Sequence, residues 1–128
     1  MTIKCINNKI TELPQSLQRF AFTQNEQGIA DLSIGKEYIV YGVRENKWGK
    51  FYLILTDTVN VDSPWWMPQA LFEVVESSMP TTWQRKSHGL FSRAWTFADP
   101  SYFDTEQDIE DGTPRGVEVF KNIKQKTP

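Results

Sequence analysis

Apolar positions along this chain recur at two different periods. Ile3 and Cys5 alternate with polar residues and predict an opening strand with both on one face, which Asn7 to Ile10 could extend. Leu13, Leu17 and Phe20 then fall at helical spacing, with Pro14 suited to a first turn, before residues 24–28 break the pattern. Residues 13–22 therefore read as a short N-terminal helix or as a loop. Ser33 to Glu37 reads as a turn, and the β-branched and aromatic run from Tyr38 to Val43 as a strand. Asn46 to Lys50, with Gly49, suits a hairpin connection into Phe51 to Thr56, whose near-continuous apolar run predicts burial on both faces or one face closed by the Trp cluster. Trp65 to Pro68 is a short element, followed by strands at Leu71 to Val75, Trp83 to Lys86 and Phe91 to Phe97. Thr113-Pro114 opens a final helix with a stripe of Val117, Phe120 and Ile123 or Lys124; lysines sit near its C-terminal end, and Gly116 is a small penalty.

This order predicts a mostly β, α+β fold in one domain over residues 1–128: a small, partly open β-barrel of the Src-homology-3-like kind with a C-terminal helix. Pro64 and Pro68 would block further strand pairing at its edge. Composition supports a core despite a hydrophobic fraction of 39%, because 13% of residues are aromatic and five are Trp. Each such ring buries roughly 150–250 Å².

Charge and chemistry narrow the function classes. A net charge of −2 argues against a general nucleic-acid binder, although charge can be segregated along a chain. Cys5 is the only cysteine, which excludes an internal disulfide. The opening MTIKCINNKITEL has no signal-peptide pattern, and no apolar run approaches the ~20 residues of a membrane span, so the expected location is the cytosol. His88 is the single histidine and lies in a polar turn, too little for a two-histidine metal site. Cys5 reads as a small buried hydrophobe rather than a nucleophile paired with His88. Phosphate-binding glycine loops and Gly-x-Ser-x-Gly are absent. The expectation is therefore a binding protein, not an enzyme, without cofactor, metal or membrane.

Two features suggest where binding lies. Adjacent strand residues point to opposite faces, so either Trp65 and Trp66 part, one inward and the other at the surface toward a partner, or both rings cover the open ends of the barrel. Between Asp99 and Asp111 there are six acids and no base, interleaved with Tyr102, Phe103 and Ile109. This stretch reads either as a solvated loop with helix N-terminal charges or as a docking face for a basic protein.

Lys4-Cys5-Ile6, Ile34 to Tyr38 with Val40-Tyr41-Gly42, Pro64 to Pro68 leading into Leu71 to Val75, and Glu118 to Lys121 together resemble a small family of uncharacterised bacterial proteins. In class, the chain is similar to the immunity proteins of bacterial toxin systems, including contact-dependent growth inhibition. That resemblance implies a non-catalytic cytosolic inhibitor that covers the active site or substrate surface of a cognate toxin, a nuclease being the expected target. The expected contacts are Trp66, Tyr102, Asp104, Glu106, Asp108, Glu110 and Asp111. The alternative is a peptide-binding or regulatory barrel module using Tyr38, Tyr41, Trp65 and Trp66 as an aromatic groove.

Overall fold

The computed structural model describes residues 1–18, 29–58, 63–89 and 93–127. Its elements are β1 (Thr2–Cys5), a single turn α1 (Gln15–Gln18), β2 (Glu37–Ile39), β3 (Gly42–Asn46), β4 (Gly49–Ile54), β5 (Trp65–Pro68), β6 (Phe72–Glu76), β7 (Gln84–Ser87), β8 (Trp95–Ala98), α2 (Pro100–Asp111) and α3 (Pro114–Lys126). Short 3₁₀ turns precede α1 and β6. Among the described residues the strands form two antiparallel sheets, ordered β2-β1-β6 and β5-β4-β3-β8-β7. The fold is thus α+β. Among the described residues no closed barrel forms, and the expected partly open Src-homology-3-like barrel is unconfirmed.

Two cores sandwich the large sheet. Ile3, Cys5, Tyr38 and Phe72 of the small sheet pack with Val43, Tyr52, Ile54 and Met67 on one face of the large sheet. On its other face Tyr41, Leu53 and Ala98 meet Tyr102 and Ile109 of α2 and Phe120 and Ile123 of α3. Burial on both faces explains why Phe51 to Ile54 is continuously apolar. Ile3 and Cys5 share the inner face of β1, as their spacing requires.

The run expected as one strand from Tyr38 to Val43 is divided. β2 belongs to the small sheet and β3 to the large one, and the chain crosses between them at Val40-Tyr41. The crossing is hydrogen-bonded, Val40 N–H to the Met1 carbonyl (3.0 Å) and Tyr41 N–H to the Leu53 carbonyl (2.8 Å). Val40 and Tyr41 therefore enter different cores, and consecutive buried residues mark a change of sheet. The β3–β4 hairpin forms as expected: Asn46 faces Gly49, Gly49 has φ 132°, and the Asn46 side chain accepts from Trp48 N–H at 2.9 Å. Of the residues expected as helix or loop, 15–18 make one helical turn, and 19–22 lie outside the described residues.

The acidic stretch is helical, not a solvated loop. Asp99 caps α2 by accepting from Ser101 N–H (3.0 Å), and Pro100 occupies the first turn. Thr105 breaks the helical dihedrals at φ −132°, its hydroxyl donating to the Ser101 carbonyl at 2.7 Å. Gly112 ends α2 in the left-handed region, and Thr113 caps α3 by accepting from Gly116 N–H at 3.2 Å. Gly116 is more than a small penalty. A Cβ there would lie 2.0 Å from the Asp108 carbonyl oxygen, so the bare backbone is what allows α3 to pack this closely on α2.

Candidate functional site around Arg44

Arg44 sits on the helix-facing side of β3, two residues beyond Gly42. Gly42 faces Leu53 on β4, which in turn faces Trp66 on β5. A Cβ at Gly42 would approach the Trp66 ring to 3.1 Å, so the glycine lets the indole lie across the sheet. Arg44 stacks on that indole, its guanidinium carbon 4.2 Å from the ring centroid. The same guanidinium pairs with Glu106, lies 3.9 Å from Glu110, and donates through Nε to Thr96 Oγ1 at 3.1 Å.

Tyr102 is the hub between sheet and helix. Its hydroxyl accepts from the Trp66 indole N–H (3.1 Å) and from Arg44 (3.5 Å), and donates to Glu110 (3.2 Å). Its ring meets that of Trp66 edge-on at 6.0 Å. Burial holds the phenol well above its ordinary range; Arg44 pulls the other way, while Glu106 and Glu110 add to the rise. It therefore remains a neutral donor, as its bond to Glu110 requires. Behind Arg44, the buried Thr96 hydroxyl shares a 2.6 Å hydrogen bond with His88 Nε2, linking that exposed imidazole to the cluster.

Beside the cluster opens a cavity of about 310 Å³, lined by Arg44, Asn46, Phe51, Pro64, Trp65, Trp66 and Glu110. Its size is at the bottom of the roughly 300–1,000 Å³ typical of ligand sites, which suits one inserted side chain better than a large cofactor. The carboxylates of Glu106 and Glu110 outnumber the single guanidinium, and both keep about a third of their side-chain surface exposed (33% and 35%).

No protein-family model matches this chain, and neither a curated protein nor a solved structure matches it. The geometry alone therefore bears on function.

Four of the seven expected contacts, Trp66, Tyr102, Glu106 and Glu110, meet around Arg44. Tyr102 is 1% exposed, so in this conformation it supports the surface and presents none of its own. The other three lie elsewhere on α2. Asp104 is exposed and without a polar partner among the described residues; Asp111 accepts from Gln107 at 3.0 Å; Asp108 accepts from Thr113 at 3.0 Å and lies 3.8 Å from Arg115. Trp65 and Trp66 do diverge, toward the inter-sheet core and the helix-side core respectively, and both are half-buried. The four-ring groove does not assemble: Tyr38 is buried between the sheets, and Tyr41 packs edge-on against Phe120 at 5.1 Å beneath α3. Cys5 is buried in the inter-sheet core, its thiol pushed up by that burial, whereas His88 bonds on the helix side of β8.

Arg44 itself escaped the sequence reading. Its one signal was position: an arginine in phase with Gly42, on the face that an acidic helix covers.

Proposed function

We propose that this protein is an immunity-type inhibitor that binds a basic surface of a protein toxin, a nuclease being the partner class with the matching chemistry. The observation that carries this reading is the continuity between the cavity and α2. Beyond the break at Thr105, Gln107 and Asp111 lie one turn apart and exposed, with Glu110 beside them at the cavity mouth, and Asp104 is exposed just before the break. A nuclease presents cations where phosphates bind, so an acidic strip beside an aromatic-walled cavity complements it in charge and can anchor one projecting side chain. The finer architecture, a partly open Src-homology-3-like barrel, draws support from the β3–β4–β5 meander and none from the separate β2-β1-β6 sheet.

The test is co-expression with the toxin encoded beside this gene. Growth protection by the wild-type chain is expected. Asp104→Asn combined with Asp111→Asn leaves the Arg44 cluster intact and should slow association about tenfold at low salt, with little effect on thermal unfolding. Unrelieved toxicity in the presence of the wild-type chain would overturn the proposal, and an unchanged association rate in the double variant would overturn the acidic strip as its contact surface.

A further inference from the structure

The net charge of −2 conceals a strong separation. Residues 41–53 and 83–98, which contain β3, β4, β7 and β8, hold six cations and one acid, a balance of +5 that leaves −7 on the rest of the chain. The two sheets end on strands from opposite sides of this division. At the margin of the small sheet β6 reads Phe72-Glu73-Val74-Val75-Glu76, and at the margin of the large sheet β7 reads Gln84-Arg85-Lys86-Ser87. Among the described residues each pairs on one side alone, β6 with β1 and β7 with β8.

Ladder geometry fixes which backbone groups each margin offers. In an antiparallel pair, successive residues turn their N–H and C=O alternately toward and away from the partner strand. The Leu71 carbonyl accepts from Ile6 N–H at 2.9 Å, so Leu71 and Glu73 face β1 while Phe72 and Val74 turn their N–H and C=O outward. His88 N–H donates to the Ala94 carbonyl at 3.0 Å, so Lys86 faces β8 while Arg85 and Ser87 turn theirs outward. Each margin thus offers two outward residues with a charged one between them. An antiparallel meeting that sets Val74 against Arg85 and Phe72 against Ser87 engages all four, and it places Glu73 directly opposite Lys86. If β6 met its own copy through Phe72 and Val74, Glu73 would lie opposite Glu73; β7 on its own copy would likewise set Lys86 opposite Lys86. Like charges directly opposite are destabilising and unlike ones stabilising, so charge selects the β6–β7 pairing. Val74 and Val75, 48% and 49% exposed at this margin, would lose part of that exposure.

We propose that this chain associates with copies of itself head to tail, β6 of one copy adding to the large sheet of the next along β7. The contact is heterologous: it leaves β6 open at one end and β7 at the other, so it grows into short chains or a ring. Neither strand belongs to the α2 strip, so the proposal stands or falls independently of toxin binding.

The test is sedimentation equilibrium of the full chain at low salt and up to about 1 mM, a concentration at which weak contacts register. The weight-average mass is expected to climb past that of a dimer as concentration rises. Glu73→Lys and Lys86→Glu lie at exposed positions and should each weaken association about tenfold. An equimolar mixture of the two variants should recover it, because each copy then meets an opposite charge at both of its margins. A monomer at every concentration overturns the proposal. So does association that ignores Lys86→Glu, which would mark β6 pairing with itself or contact through another face, or a mixture that associates no better than either variant alone.

Discussion

Replacing Arg44 with Met tests whether the cluster at the sheet–helix boundary supports the fold. Met keeps much of the apolar stem and removes the guanidinium, leaving Glu106 and Glu110 without their cation and the Trp66 face without its stacked charge. For fully buried pairs, loss of one partner costs about 3–5 kcal/mol, whereas exposed pairs are worth about 0–1. Arg44 is 20% exposed and its acids about a third, so solvent screening brings the ion-pair loss to roughly 2 kcal/mol. The cation–π contact adds about 1 kcal/mol, for a total near 3. In a chain of this size that corresponds to a fall in Tm of roughly 10 °C. Urea unfolding should show the midpoint falling with the slope unchanged, the sign of lost stability without a changed unfolded state. A double-mutant cycle with Glu106→Gln isolates the pair and should return a coupling of about 1–2 kcal/mol. A total loss below about 1 kcal/mol, or a coupling indistinguishable from zero, would show that Arg44 is an ordinary surface charge.

Two further outcomes follow from packing and from the tyrosines. Gly116→Ala gains up to about 1 kcal/mol of helix propensity, yet its Cβ would overlap the Asp108 carbonyl, so a net loss of about 1–3 kcal/mol is expected in thermal unfolding; a Tm equal to or above wild type would refute the close helix contact. All four tyrosines, Tyr38, Tyr41, Tyr52 and Tyr102, have hydroxyls held above the ordinary value of 10.0, in each case chiefly by burial. Because the unfolded chain loses these protons first, their contribution is intact below about pH 10 and drains away as pH rises through the folded values. Tyrosinate absorbance should therefore appear together with loss of the circular-dichroism signal, and tyrosinate forming in a chain that remains folded would refute it.

Much of the secondary structure was legible because local rules agreed with the tertiary result. Asn46 to Gly49 and Thr113-Pro114 carry turn and cap chemistry that no distant contact opposes. The sheet assignment was not legible. β6 pairs with β1, nearly seventy residues earlier, and no local pattern distinguishes that partner from the adjacent meander. The crossing at Val40-Tyr41 was hidden for a related reason, since a strand that changes sheets keeps the same β-branched and aromatic composition throughout. Within the site, helical phase could group Glu106 with Glu110, but the cation that gathers them lies on a strand about sixty residues away.

The separation of charge follows from that layering. With apolar cores on both faces of the large sheet, cations on its strands can remain solvated only at the β7 edge and at the hairpin end, where Arg85, Lys86, Lys47 and Arg93 are all exposed. The acids of the helical layer face outward from the opposite side of the same core. Arg44 is the exception, a strand cation beneath α2, and it is tolerated there because Glu106, Glu110, Thr96 and the Trp66 ring together replace its water. Net charge is thus a poor guide to this chain's partners. The acids gather on α2 and the cations at the hairpin end, and the −2 total describes neither surface.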